Sequence, residues 1–241
     1  GTIYDDRSRY ERVPTDFVYH NNLKDFLRTG IVSTNTFSVA YRGDRARYYA
    51  SGKFAYQQGQ VPNMSLNTGS LNFNAAFDIT KNFTLESSLS YNKVYSPNYP
   101  RYGYGPKNHI YTILIWMSDD VNGKDLKDHM WVPGLEGYRQ ANYNYAWYNN
   151  PYFASYMLEQ TQNRDVIDMQ VKANWKITND LIFQVRGNGR NISNFESMKS
   201  PKSYMNYGDS RNGDYKIWNT GQLNFDADAL FTYSKDITDD I

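Results

Sequence analysis

The chain has 241 residues, with 26 Lys and Arg against 25 Asp and Glu, and no cysteine. A near-zero net charge lacks the basic excess of a nucleic-acid-binding domain, and the absence of cysteine removes disulfide frameworks, thiolate zinc sites and a cysteine nucleophile together. Aromatic residues make up 17%, including 23 Tyr and 5 Trp, an amphipathic set that gathers at membrane–water interfaces and binding surfaces.

In chain order, residues 1–34 read as an irregular lead-in without the apolar h-region of a signal peptide. A short helical turn is expected within "TDFVYHNNLKDFLRTG", capped by Thr15 or Asp16 and ended by Gly30. Residues 35–241 form the strand-bearing part, in which stretches alternating with period two are separated by loop-like ones. Phe37, Val39 and Tyr41 precede a tight break at Gly43-Asp44, and Tyr48, Phe54 and Tyr56 follow on one parity. After the loop-like stretch 57–69, Leu71, Phe73, Ala75, Phe77 and Ile79 oppose Asn72, Asn74, Asp78 and Thr80. Beyond Lys81-Asn82 the pattern resumes, with Phe83, Leu85, Leu89 and Tyr91 against Thr84, Glu86, Ser88 and Ser90. Successive side chains of a strand point to opposite faces, so these are antiparallel hairpins with one apolar and one polar side.

Between about 96 and 164 the alternation dissolves. This stretch carries Trp116, Trp131 and Trp147 and far exceeds an ordinary loop, which predicts a functional loop region with local structure. Its run Ile110–Met117 is the longest apolar one in the chain and too short for a spanning helix. Alternation returns with Ile167, Met169, Val171, Ala173, Trp175 and Ile177 against Asp168, Gln170, Lys172 and Asn174. After a short turn at Asn179-Asp180, Phe183 and Val185 oppose Gln184, Arg186 and Asn188. A polar loop over 194–216 leads to Leu223, Phe225, Ala227 and Phe231 against Asn224, Asp226 and Asp228, and "KDITDDI" reads as one more short turn.

Alternation alone fits a soluble sandwich as well as a barrel. The predicted strands are longer than the five to six residues typical of globular proteins and match the roughly 9–11 needed to cross a bilayer at a tilt. Connections alternate short and long, as in outer-membrane barrels. The polar parity also carries charge: Asp78, Glu86, Asp168, Arg186, Asp226 and Asp228 are candidate lumen-lining residues. These features favour an all-β, antiparallel transmembrane barrel wall. About seven strands, an odd count with two edges that lipid would not tolerate, point to a section of a larger barrel. The alternative is a soluble secreted carbohydrate-binding β-sandwich.

The succession "FLRTGIVSTNTFSVAYRGDRARYYASGKFAYQQGQVPN", "LNFNAAFDITKNFTLESSLSY", "NNPYF" and "VKANWKITNDLIFQVRGNGR" resembles the SusC/RagA family of TonB-dependent outer-membrane transporters. The resemblance implies one panel of a 22-stranded barrel in a bacterial outer membrane, without the plug domain, which this chain does not contain. It further implies import of oligosaccharides or peptides together with a SusD-like surface lipoprotein, energised through TonB. No nucleic-acid partner, cofactor or metal is implied.

For catalysis the residues offer little. His20, His109 and His129 stand at no ligand spacing and read as solvated loop histidines, and the acidic turn "SDDVNGKDLKD" lacks the glycine position of a calcium loop. Asp226 and Asp228 read as lumen-lining charge rather than a glycosidase pair. The chain is therefore expected not to be an enzyme. The candidate substrate-binding residues are the aromatics of the long loop, Trp116, Trp131, Tyr143, Tyr145, Trp147 and Tyr148, whose rings could stack on sugars. Tyr41, Tyr48, Tyr56, Tyr91, Trp175 and Tyr233 are expected to form interfacial girdles.

Overall fold

A computed structural model describes residues 16–144, 147–206, 209–210 and 212–235. Residues 1–15, with the predicted caps Thr15 and the start of the lead-in, Tyr145, and most of the closing "KDITDDI" lie outside the described residues.

Seven long strands form one antiparallel sheet: β1 (Ile31–Arg42), β2 (Ala46–Gln58), β3 (Ser65–Thr80), β4 (Phe83–Asn98), β5 (Gln160–Lys176), β6 (Leu181–Ser200) and β9 (Asp214–Tyr233). Their spatial order is their sequence order, a meander in which each strand pairs with the next. The remaining strands, β7 (Met205–Asn206) and β8 (Asp209–Ser210), form a separate two-stranded hairpin. Turns 43–45, 81–82 and 177–180 lie at one end of the sheet, and connections 59–64, 99–159 and 201–213 at the other. The strands outrun the alternation that revealed them. β1 starts before residue 35, and β3, β4, β5 and β6 extend into stretches read as loop, because polar residues on both faces hide the period there.

Cross-strand register puts the apolar parities together. Phe73 sits opposite Leu89, Leu89 opposite Met169, Met169 opposite Gly189 and Gly189 opposite Phe225. Two glycines on this face are required by close approach. A Cβ on Gly52 would lie 2.2 Å from the Phe37 ring, and one on Gly189 would lie 3.0 Å from that of Phe225. Each ring lies across the bare backbone of its cross-strand glycine, covering it.

Among the described residues nothing lies over this face: Val39, Val171 and Phe225 are 69%, 54% and 71% exposed. A sandwich would bring a second sheet here, and among the described residues the only other sheet is the β7–β8 hairpin. The apolar band has two edges. Toward the short turns, Tyr41 stacks on Tyr48 at 5.9 Å and Phe183 on Phe231 at 4.4 Å, with Trp175 beside them in register. Toward the long connections, the same parity turns ionic, where Lys93 Nζ lies 2.9 Å from Asp165 and the Tyr91 hydroxyl donates to it at 2.6 Å. From the Phe83 row to the Tyr91 row the strand advances roughly 26 Å at ~3.3 Å per residue. At a tilt near 40° that is roughly 20 Å of height, close to the ~25 Å apolar band of outer-membrane barrels. The fold is a section of transmembrane barrel wall.

The buried apolar residues instead lie mostly among the connections, which fold into a cap. Phe26, Ile113, Met117, Leu126, Val132, Ala141 and Tyr152 form one cluster, and Phe153, Ala154, Leu158 and Tyr204 a second. The predicted turn in the lead-in is the helix Asn22–Phe26, capped by Asn21 rather than by Thr15 or Asp16. Its Phe26 enters the first cluster, so the lead-in is part of the cap core.

Arginine at Val171, mid-band on the apolar face, should destabilise the full-length protein in bilayers by about 2–4 kcal/mol. Arginine at Ser88, on the polar face one strand away, should cost less than about 1 kcal/mol. Denaturant titration from lipid vesicles measures both, and equal costs would contradict the assignment of faces.

Candidate functional site

The opposite face of the sheet is built from the polar parity. Asp78, Glu86, Asp168, Arg186, Asp226 and Asp228 all lie on it, and each has a partner. Glu86, Lys172, Arg186 and Asp228 form one row across four strands, with Glu86–Lys172 and Arg186–Asp228 contacts of 2.8 Å each. In the next row Gln170 donates to Asn188 at 2.7 Å and Asn188 to Asp226 at 2.6 Å. One row further toward the cap, Arg190 lies 3.3 Å from Asp168, while Arg47 reaches Asp78 at 3.3 Å nearer the short turns. Half-exposed pairs of this kind contribute little stability individually. Their effect is to leave a wettable wall whose charges neutralise one another, and Asp226 and Asp228 are tied to Asn188 and Arg186 rather than paired as an acid and base.

The cap is held by side-chain amides of the Asn149-Asn150-Pro151 turn. Asn150 is the N-cap of the helix Pro151–Met157, accepting from the amides of Tyr152 and Phe153, and its NH₂ donates to the carbonyls of Leu126 and Ala141 at 2.8 and 2.9 Å. Asn149 donates to the carbonyls of Pro106 and Met205 and accepts from Gln140 at 3.0 Å and from the Met205 amide at 2.7 Å. Both asparagines are buried. All of their polar capacity is used on backbone or on each other's neighbours, which is how a buried amide avoids a desolvation penalty. The pair thereby joins the 99–159 connection to the 201–213 connection.

The aromatic candidates separate on this scaffold. Trp131 packs edge-on against Phe153 at 5.2 Å, and Tyr143 packs on the first cluster with its hydroxyl buried, which raises its pKa above that of an ordinary phenol. Both rings are spent on the cap's own packing. Trp116 and Trp147 are about half exposed, and Trp116 stacks on the buried Tyr148 at 5.1 Å with planes 21° apart. The backbone places Trp116 at the end of a π-helical turn, Thr112–Trp116, that also leaves Leu114 and Ile115 exposed. Such turns are frequent at functional sites. The acidic turn is a capped helix, with Asn122 accepting from Lys124 and Asp125, and His129 Nδ1 lying 2.8 Å from Asp125.

Two features escaped the sequence. His109 is not solvated but 1% exposed, its ring 5.5 Å from Phe26 and both nitrogens without a partner among the described residues. Burial, reinforced by the nearby Arg101 charge, lowers its pKa from 6.5 to about 4. The second feature is a cavity of about 670 Å³ where the cap meets the upper end of the polar face. Leu23, Leu27, Val61 and Ile110 line it from the cap, and Leu66 from the wall. Its residues come from four separated stretches, so no local motif announces it.

No protein-family model and no curated protein matches the chain. Several solved chains share its fold, two structures of one transporter among them. The RagAB peptide transporter aligns with 97% of this chain at a TM-score of 0.72 and 18% identity, and the aligned part is 26% of that chain. The RagAB peptide importer in the closed-closed state aligns over the same shares with a TM-score of 0.65 and 18% identity. The chain thus spans about a quarter of the length of the transporter chains it resembles.

Replacing Asn150 by Ala removes a cap and two buried donors, and should loosen the cap by about 2–4 kcal/mol while leaving the sheet intact. Limited proteolysis of the full-length protein should then cut within 99–159; cleavage unchanged from the parent would contradict the hub. Because His109 binds its proton less readily folded than unfolded, it favours the folded cap fully above pH 6.5. That contribution, on the order of 3 kcal/mol, is lost as pH falls from 6.5 to about 4. Cap proteolysis should rise over that window and His109→Phe should flatten the rise. An identical rise in the variant would assign the acid sensitivity elsewhere.

Proposed function

We propose that the chain is part of the barrel wall of a SusC/RagA-type outer-membrane importer, carrying peptides across a bacterial outer membrane. The observation that carries this reading is the two-faced sheet, bare and apolar on one side, wettable and charge-paired on the other, with a folded cap at one end only. A lipid-facing wall with a watery lumen needs both faces. The likeness to the RagAB peptide transporter and importer supports import as the activity and peptide as the cargo. TonB supplies the energy through parts beyond this chain, and a SusD-like surface lipoprotein closes over the cap. The exposed Leu114, Ile115, Trp116 and Tyr102 give that lipoprotein an apolar surface to cover. Asp78, Glu86, Asp168, Arg186, Asp226 and Asp228 line the path.

Oligosaccharide import is the second reading, favoured by the exposed Trp147 and by Trp116, whose flat ring is backed by Tyr148. In either case the chain binds and passes its cargo without a chemical step.

Cells expressing the full-length protein should accumulate labelled peptides only while TonB is present. Uptake that persists at the same rate after TonB depletion would overturn the reading. Accumulation of labelled oligosaccharide and not of peptide would select the second one.

A further inference from the structure

We propose that the cavity beneath the cap is a subsite for an uncharged, aliphatic residue of the imported peptide. The inference rests on the import reading above and names what one site within it selects.

Leu66, Ser96, Gln57 and Gln162 are on the polar parity of β3, β4, β2 and β5, so the cavity opens on the same side as the charge-paired wall and above it. A cargo descending along that wall from the cap passes this point. The volume, about 670 Å³, lies within the range of ligand pockets and exceeds the size of a single side chain.

The lining then restricts the chemistry. Apart from the Tyr99 ring, the apolar surface is aliphatic, from Leu23, Leu27, Val61, Met64, Leu66 and Ile110, and no Asp, Glu, Lys, Arg or His takes part. A charged side chain entering it would lose its hydration with no opposite charge in return, which is strongly unfavourable. Sugar recognition needs a flat aromatic platform and a dense set of polar partners, and this lining has one ring. What it offers beside aliphatic surface is three carboxamides, Gln57, Gln60 and Gln162, and the two serines Ser65 and Ser96. Each can donate and accept at once, matching the N–H and C=O of a peptide backbone. Aliphatic depth with amides around it fits a peptide residue better than any other component of the two cargo classes.

The site is also held in shape without a ligand. The Arg28 guanidinium donates to the carbonyls of Gly59 and Met64 at 2.9 and 2.8 Å, and the Arg28 amide to that of Gln60 at 2.8 Å. Asn98 ties the same loop to the cap by donating to the carbonyls of Asn63 and Ser155 at 3.3 and 3.0 Å. A pre-ordered pocket binds without the entropic cost of ordering its walls.

The test uses the full-length protein in nanodiscs and three probes: the peptides Ala-Ala-Leu-Ala-Ala and Ala-Ala-Asp-Ala-Ala, and maltohexaose, by calorimetry. The leucine peptide should bind about tenfold or more tightly than the aspartate one. Filling the cavity with Val61→Trp or Leu66→Trp should erase that preference, and Gln162→Ala, which leaves the aliphatic depth intact, should weaken both peptides while keeping it. Equal affinity for the two peptides, or a preference that survives both filling variants, would overturn the assignment. If only maltohexaose binds and is imported, the subsite is wrong and the import reading stands. If no probe binds and the cells of the uptake experiment accumulate none, both fall. Should the tryptophan variants fail to assemble, the preference of the parent protein and the effect of Gln162→Ala decide the matter.

Discussion

Six strand pairings hold a single parity across the sheet, and a one-residue slip in any of them would carry that strand's apolar side chains onto the charged face. The register is enforced from both sides. On the apolar side, Phe37 over Gly52 and Phe225 over Gly189 fit only if the glycine stands directly opposite the ring. On the polar side, Glu86 meets Lys172 and Arg186 meets Asp228 only in the same alignment. The result is a sheet with almost no core of its own, since among the described residues protein covers only the cap end of the polar face. In the proposed barrel wall its stability depends on lipid on one side and water on the other, and on strands that pair its two open edges.

Burial is thus inverted relative to a soluble domain. The strands, which normally carry the core, expose Phe, Val and Trp, whereas most of the best-buried side chains of the chain, among them Phe153, Leu126, His109 and Asn150, lie in connections. A connection as long as 99–159 needs a core to stay folded, and this one assembles it together with the lead-in and residues of the 201–213 stretch. Asn149 and Asn150 make this workable. Short irregular segments leave many backbone carbonyls without secondary-structure partners, and the two carboxamides satisfy those of Pro106, Met205, Leu126 and Ala141. Wall and cap are joined where Asn98 and Arg28 bind the 59–64 loop, which is also where the cavity forms.

The wall was legible in the sequence because its signal is local. Each strand declares its faces every second residue, and the mid-band stretches 71–79, 167–177 and 223–231 carry the full alternation. The signal fades where both faces become polar, at 65–69, 93–98 and 160–165, although the hydrogen-bonded ladder continues. The cap was not legible because its order is non-local. Nothing near Trp131 signals Phe153 beneath it, and nothing near His109 signals that Phe26, more than eighty residues earlier, covers it. Aromatic side chains in a long polar loop looked available for ligand, and for Trp116 and Trp147 they are exposed, but Trp131 and Tyr143 serve the cap's packing. "NNPYF", legible only as a resemblance, turned out to contain the cap's hydrogen-bonding hub.

The fold and the proposed function both depend on which face meets lipid. Nitroxide labels placed singly along residues 166–175 of the full-length protein in phospholipid bilayers would report collision with oxygen, enriched in lipid, and with a water-soluble nickel chelate. Oxygen contact should peak at Ile167, Met169, Val171 and Ala173, with nickel contact at Asp168, Gln170, Lys172 and Asn174. A profile without period two, or one with the two reagents exchanged, would contradict both.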